Sequence, residues 1–106
     1  MPTIEQLLEE PAGYHQQKVE VTGYLYLGRE HVAIYPSADD RRVLSRGIWL
    51  VNPEAAAHGR TKLKALSGNM IRVTGTFISK SKRGAGHFNN WRAEIRGISR
   101  IEAVAP

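Results

Sequence analysis

Apolar residues alternate with polar or aromatic residues through positions 18–27, which is the most regular pattern in the chain. A period of two predicts a β-strand with one buried face. The buried parity holds Val19, Val21, Leu25 and Leu27, and Gly23 lies at the same parity. A glycine on the buried face lets the strand coil sharply, as a small barrel requires.

Four further segments have strand patterns bounded by turn residues. They are residues 31–35, 47–51, 69–79 and 91–104, the last with a predicted bulge near Gly97. The segment Val19-Glu-Val-Thr-Gly23 recurs as Ile71-Arg-Val-Thr-Gly75. Both glycines should tolerate a side chain poorly, through close approach or a positive φ. The predicted barrel core is Val19, Val21, Leu25, Ile34, Leu50, Ile71, Val73, Phe77 and Ile95.

The N-terminus has the pattern of a short helix. Thr3 and Gln6 have the spacing of a capping box, and Pro11 and Gly13 should end the helix. Its buried face would hold Ile4, Leu7 and Leu8.

A second helical segment is predicted between the third and fourth strands. Asn52-Pro53 combines a cap residue with proline at the first helical position. Gly59 should interrupt this segment, and Gly68 should end it after a turn that carries Leu63 and Leu66. The remaining connections are a turn at residues 28–30, a polar loop at 37–46 and a basic loop at 80–90.

The predicted order is three strands, a helical segment and two strands, in a single domain of residues 1–106. It matches a mainly β, five-stranded OB-type Greek-key barrel with a short N-terminal helix and a helical segment between strands 3 and 4. The residues that carry a family resemblance are Ile4, Leu7, Leu8, Pro11 and Tyr14, leading into Val19-x-Val21-x-Gly23-Tyr24-Leu25. This run resembles small bacterial stand-alone OB-type proteins of uncharacterised function.

The Val-x-Val-x-Gly opening is also similar to OB domains that bind tRNA anticodons or single-stranded DNA. The acidic strand end of the anticodon-binding type has no match in this sequence, which weakens that narrower assignment. The resemblance therefore implies a binding module without naming its ligand.

The composition indicates a globular protein of a reducing compartment. Apolar residues make up 42% and charged residues 24% of the chain, so disorder throughout is disfavoured. The absence of cysteine excludes a disulfide framework, a thiolate metal site and a cysteine nucleophile. No apolar run approaches the roughly 20 residues that span a bilayer, and the acidic N-terminus lacks a signal-peptide pattern. We therefore expect a cytoplasmic protein without a membrane partner.

Positive charge is concentrated in the second half of the chain. Residues 1–59 have a net charge of −3 and residues 60–106 a net charge of +8, within a total of +5. This asymmetry favours an anionic partner for the second half. Solubility alone is the alternative explanation.

Catalytic patterns are weak. Ser79-x-x-Lys82 has the spacing of a serine–lysine pair, but that pair needs a helix and these residues lie at a strand end and in a loop. Asp39 and Asp40 are adjacent and are better explained by a loop turn. The four histidines lack metal-ligand spacing. We predict a protein that is not an enzyme and that uses no metal and no cofactor.

Aromatic residues on the first three strands share the parity opposite to the predicted core. They are Tyr24, Tyr26, Tyr35 and Trp49. OB domains usually hold ligands on this face, and aromatic rings stack bases with about 1–3 kcal/mol each. We predict that the four residues bind nucleic acid. The alternative is that the N-terminal helix or a loop covers these rings.

The remaining predicted contacts come from five basic residues and one phenylalanine. These contacts are Arg72, Lys80, Lys82, Arg83, His87 and Phe88. The loop cations would neutralise phosphates, and the histidine or phenylalanine would stack on bases. A solvated hairpin tip is the alternative for this loop.

Two classes of partner follow from these patterns. The first is single-stranded DNA or RNA. The second is a protein, as for an immunity or accessory protein whose barrel blocks its partner. Binding through phosphates weakens steeply with salt, whereas a mainly apolar protein interface does not, so salt dependence separates the two.

Overall fold

The five predicted strands form a closed barrel in the computed structural model, which describes residues 2–28, 31–80 and 91–104. The strands are β1 Gln17–Gly28, β2 His31–Tyr35, β3 Ile48–Leu50, β4 Met70–Ser79 and β5 Ala93–Ala103. Their order around the barrel is β1-β2-β3-β5-β4. Neighbouring strands are antiparallel except β3 and β5, which are parallel. The architecture is the OB-type barrel that the sequence predicted.

The predicted strand phase is correct. Val19 is 6% exposed, and the other eight predicted core residues are fully buried. The core also takes in Ile4 and Leu7 from the N-terminal helix and Leu63 from the helix between β3 and β4. The residues of each long strand that face the barrel interior are therefore apolar, and the residues that face outward are not needed for the core.

Two glycines allow the long strands to approach their neighbours closely. A Cβ on Gly23 would lie 2.6 Å from Ile4 Cδ1, and one on Gly75 would lie 2.6 Å from Ile95 Cγ2. Neither residue has a positive φ. The prediction that both positions tolerate a side chain poorly is confirmed, and close approach is the reason.

A bulge interrupts the pairing of β4 with β5. The register shifts between Thr74, which pairs with Arg100, and Thr76, which pairs with Arg96. Gly97 lies within the extra length of β5 and has a φ of 60°, a conformation that glycine adopts at little cost. The predicted bulge near Gly97 is confirmed.

The N-terminal helix α1, Ile4–Glu9, begins at the predicted capping box. Gln6 N donates to Thr3 Oγ1 at 3.1 Å, and Thr3 N donates to Gln6 Oε1 at 2.9 Å. The helix ends before Pro11, as the sequence predicts, and Pro11 also begins a further helical turn, α2, Pro11–Tyr14. Proline at a first helical position has no amide that needs a partner, so it can start a turn as readily as it stops one.

The helix between β3 and β4 begins later than predicted. It is α3, Arg60–Leu66, and the segment after Asn52 forms turns. Ala57 N donates to Pro53 O at 3.1 Å, which closes a single turn. His58 and Gly59 then have φ values of 63° and 115°, which end that turn. The predicted helix start at Asn52-Pro53 is therefore wrong, whereas the predicted end near Gly68 is confirmed.

The polar loop after β2 forms two short 3-10 helices, η1 Ala38–Arg42 and η2 Leu44–Arg46. Ser37 Oγ donates to Asp40 Oδ2 at 2.8 Å, and Arg46 Nη1 donates to Asp40 Oδ1 at 3.0 Å. These bonds hold the loop in a compact form beside the barrel. Among the described residues, no helix is long and apolar enough to cross a membrane.

Candidate functional site

The outer face of β1, β2 and β3 contains a row of side chains at matched register. Tyr26 pairs with Ala33, Ala33 pairs with Trp49, and Trp49 pairs with Glu94 of β5. Residues paired directly across strands have neighbouring side chains on the same face. The small methyl group of Ala33 therefore lies between the larger side chains of Tyr26 and Trp49.

Five rings gather over this row, and we call them the aromatic cluster: Tyr26, His31, Tyr35, Trp49 and Trp91. The ring centroids of Tyr26 and His31 are 4.4 Å apart, and those of His31 and Trp91 are 5.0 Å apart. Trp91 and Trp49 follow at 4.7 Å. These separations lie within or just below the range of favourable aromatic pairs. The cluster is therefore a continuous set of rings across three strands.

Hydrogen bonds to one hydroxyl group hold the cluster together. Trp91 Nε1 donates to Tyr35 Oη at 3.2 Å, and His31 Nε2 lies 2.8 Å from the same oxygen. An indole nitrogen can only donate, so the Tyr35 hydroxyl accepts from Trp91 and has its own proton to give. Its bond with His31 Nε2 takes its direction from the imidazole tautomer: the hydroxyl donates when the ring proton is on Nδ1 and accepts when it is on Nε2.

Burial shifts the pKa values of two members of the cluster, His31 and Tyr35. It lowers the pKa of His31 from its ordinary value of 6.5. It also raises the pKa of the Tyr35 hydroxyl, and the hydrogen bond from Trp91 opposes that rise. Both shifts favour the neutral forms. The face is therefore uncharged and apolar in its centre at neutral pH.

The rings of the cluster differ in their access to solvent. Tyr26, His31 and Trp49 are half-buried, whereas Trp91 is 3% exposed and Tyr35 is 0% exposed. Only the first three can offer part of a ring to a ligand. Tyr35 and Trp91 lie beneath them and support them.

The burial of Tyr35 corrects its predicted role as a stacking residue. The loop from η1 to β3 packs over its end of β2: a Cβ on Gly47 would lie 2.4 Å from the Tyr35 ring, and Leu44 packs against the same cluster. A loop therefore covers this ring, as the alternative interpretation of the aromatic face allowed. Tyr26 and Trp49 remain partly open.

Two other predicted residues lie apart from the cluster. Tyr24 is half-buried, and its hydroxyl lies 3.8 Å from where a Cβ on Gly68 would be, beside the start of β4. Arg72 lies on β4 between two carboxylates, 3.4 Å from Glu20 and 3.6 Å from Glu102. Its charge is already compensated, so the structure does not bring Arg72 into the aromatic face.

The basic connection between β4 and β5 adjoins the cluster through its ends. Lys80 N donates to Arg92 O at 2.8 Å, next to Trp91. Lys80 is half-buried and Arg92 is exposed. Lys82, Arg83, His87 and Phe88 lie outside the described residues. The Arg92 side chain lines the cleft between α1 and η2, so it is the backbone of this connection that adjoins Trp91.

Sequence reasoning missed three members of the site: His31, Trp91 and Glu94. His31 has the outward parity of β2, so its place was available from the strand phase. Trp91 is separated from the regular part of β5 by a bend at Arg92, so its direction did not follow from alternation. Glu94 is 6% exposed beside Trp49 and is hydrogen-bonded to Arg96. A buried carboxylate with a partner two residues away has no sequence signature.

A cleft of about 360 Å³ between α1 and η2 is a weaker candidate site. It is lined by Glu5, Leu8, Glu9, Pro36, Asp40, Ser45, Arg46 and Arg92. Three carboxylates beside two guanidinium groups form a surface of mixed sign, which suits no single charged ligand. Among the described residues, no group of three or more His, Asp or Glu side chains is placed to hold a metal ion.

Taken together, the barrel and its outer face define an OB-type domain with a partly open aromatic cluster on β1-β2-β3. No protein-family model matches the chain, and no curated protein is significantly similar to it. The strand order and the geometry of the face are therefore the basis for a functional proposal.

Proposed function

We propose that this protein is a binding module for single-stranded nucleic acid, DNA or RNA, which it holds on the aromatic cluster without catalysis. The observation that carries the proposal is the contact between three half-buried rings, Tyr26, His31 and Trp49, and the buried Trp91 on the face of an OB barrel. Every base has a π-face, so such rings stack bases of any sequence, with about 1–3 kcal/mol per base.

The distribution of charge supports an anionic ligand. From Ala55 to Ala93 the chain contains eight basic residues and no acidic one. This stretch includes α3, β4 and the connection that leads to Trp91. Proteins that bind single strands combine a basic surface along the path of the backbone with aromatic rings that stack the bases.

The proposal includes a cellular setting. The absence of cysteine suits a reducing compartment, and we place the protein in the cytoplasm. We further propose that it belongs with the small bacterial stand-alone OB-type proteins that nearly the whole chain resembles. The V-x-V-x-G run and the preceding helix support this assignment.

Intrinsic fluorescence tests the proposal without a label. The chain has two tryptophans, and both belong to the aromatic cluster. Stacking of a base on Trp49 should quench this emission as an unlabelled oligonucleotide is added at low salt. The Trp49 variants lack this reporting ring, so their affinities are measured by the fluorescence anisotropy of a labelled oligonucleotide. Trp49→Phe should keep most of the affinity because a ring remains. Trp49→Leu should lose about five- to 100-fold, as expected for one lost stacking contact.

The matched substitutions separate stacking from apolar contact, and circular dichroism with thermal unfolding shows that both variants fold. Binding of Trp49→Leu equal to that of Trp49→Phe would contradict stacking. If wild-type protein binds neither DNA nor RNA at low salt, the nucleic-acid function fails. A protein partner for the same face then becomes the leading alternative, since Tyr and Trp are enriched in protein interfaces.

A further inference from the structure

A second cleft, of about 410 Å³, lies between α3 and the end of β1. It is lined by Leu27, Gly28, Arg60, Lys64 and Ser67. Leu27 N donates to Ser67 Oγ at 3.1 Å, and Gly68 N donates to Leu25 O at 2.8 Å. These two bonds fix the C-terminal end of α3 against β1, so the walls of the cleft are held by the fold.

The charged groups of this cleft are cationic. Arg60 and Lys64 are four residues apart on α3, so they project from the same side of the helix, and both are exposed. Among the residues that the structure describes, Arg60 pairs with Glu54 at 3.9 Å, and Glu54 is itself 43% exposed. Such an exposed pair contributes little. Lys64 forms no ion pair with any residue that the structure describes.

The cleft begins where the aromatic cluster ends. Gly28 lines the cleft and pairs with His31 across the β1–β2 turn. The Tyr26 ring lies against the same glycine, since a Cβ on Gly28 would be 2.9 Å from Tyr26 Cε1. A ligand that leaves the Tyr26 ring around this end of β1 therefore meets Lys64 and Arg60 next.

We propose that the Arg60–Lys64 cleft binds backbone phosphates of the same single strand and extends its path beyond the aromatic cluster. The proposal rests on the proposed nucleic-acid function and adds a direction to it: bases stack over β1-β2-β3, and the strand continues past Gly28, at the end of β1, to α3. OB domains cover about 4–16 nucleotides, so a long strand can reach both surfaces and a short one only the first.

The test compares oligonucleotides of about 5 and about 15 nucleotides, lengths at the two ends of that range. The variant is the double substitution Arg60→Gln and Lys64→Gln, which keeps good helix formers at both positions. The control is Lys62→Gln with Arg100→Gln, which removes the same charge. Lys62 lies two residues from both cleft cations and does not face them.

The expected result is a three- to tenfold loss of affinity for the long oligonucleotide in the cleft variant, about that of two exposed ionic contacts. The slope of log affinity against log salt should flatten by about 1.4, from two phosphates at about 0.7 each. Binding of the short oligonucleotide should fall no further in the cleft variant than in the control, and the control should show only the small loss that its lower net charge causes with both lengths.

Two outcomes overturn the cleft while leaving the proposed function intact. The first is wild-type affinity of the cleft variant for the long strand. The second is an equal loss in the control or with the short strand, which would show a general effect of net charge. If the wild-type protein quenches with neither length, the proposed function itself fails, and the cleft proposal fails with it.

Discussion

Gly75 is a position where the absence of one methyl group decides the packing of two strands. A Cβ there would lie 2.6 Å from Ile95 Cγ2, 3.0 Å from Arg96 O and 3.3 Å from Ile98 Cα. Two of these atoms belong to the backbone, which cannot rotate away as a side chain can. At Gly23 the closest atom is the end of the Ile4 side chain, which has more freedom to move.

Gly75→Ala should therefore destabilise the protein by about 1–3 kcal/mol, the usual cost of overpacking a core. Gly13→Ala is the matched control, because a Cβ there meets nothing within 4 Å and the residue lies in α2. Alanine is favoured over glycine in a helix by about 0.5–1 kcal/mol, so this control should be neutral or stabilising. Chemical denaturation of both variants measures the difference, and equal stabilities would show that the close approach at Gly75 is not a constraint.

Burial makes one histidine, His31, sensitive to acid. Protonated His31 would donate from Nε2, and the Tyr35 hydroxyl would then face two donors, His31 and Trp91, at a buried position. Burial already lowers the pKa of His31 below 6.5. The unfolded chain therefore binds a proton more readily than the folded chain, and stability rises with pH in that window.

We expect the His31 contribution to stability to be complete above about pH 6.5 and to be lost progressively as the pH falls below that value. His31→Phe should reduce the pH dependence of the free energy of unfolding between pH 5 and 7. His58→Asn is the control, since His58 is exposed and asparagine tolerates its φ of 63°. Urea unfolding across this range is the measurement. An unchanged pH dependence in His31→Phe would show that burial does not lower the pKa of His31 in the folded protein.

At the level of elements, the strands and the first helix were predictable because their signals are local. Alternation determines which side of a strand is buried, and the Thr3–Gln6 pair identifies a helix start within four residues. The segment after Asn52 has a start signal of the same kind, yet His58 and Gly59 turn the chain after one turn. Asparagine and histidine enter the left-handed region more readily than most residues, and no local pattern shows when they do so.

Thr3→Ala should cost about 0.5–2 kcal/mol, the usual loss for an N-cap residue. The substitution should lower the free energy of unfolding of the whole barrel, because Ile4 and Leu7 of α1 are part of its core. Thr61→Ala within α3 is the matched control, since Thr61 is exposed and alanine is the better helix former. Thermal unfolding compares the two. If Thr3→Ala unfolds at the same temperature as Thr61→Ala, α1 contributes nothing to the stability of the barrel.

For the molecule as a whole, the strand phase placed Tyr26 and Trp49 on one outer face, and the structure brings them into one cluster. The strand phase did not show which rings remain open to solvent, because that depends on the path of the loop between η1 and β3 over Tyr35. It also did not separate Arg72 from the other cations, because its partners Glu20 and Glu102 come from two different strands. Contacts between elements distant in sequence account for both differences.

Charge and stacking should make separate contributions to the free energy with which the whole molecule binds a single strand. Replacing Lys80, Lys82 and Arg83 with Gln should weaken the binding of all single-stranded sequences alike. The slope of log affinity against log salt should flatten by about 2, because each neutralised phosphate contributes about 0.7. Tyr26→Leu should instead weaken binding with little change in slope, because stacking is not ionic. Titrations of oligo-dT and oligo-dA at several salt concentrations measure both quantities.

The control for this triple variant removes three cations elsewhere, at Lys18, Lys62 and Arg100, all of them exposed. Long-range attraction depends on total charge and should raise association rates for any oligonucleotide, so both triple variants should lose some of it. If residues 80–83 contact phosphates directly, the slope of log affinity against log salt should flatten more in the 80–83 variant than in the control. If the two slopes fall equally, the loss is a general effect of net charge, and direct contact of residues 80–83 with phosphates is excluded.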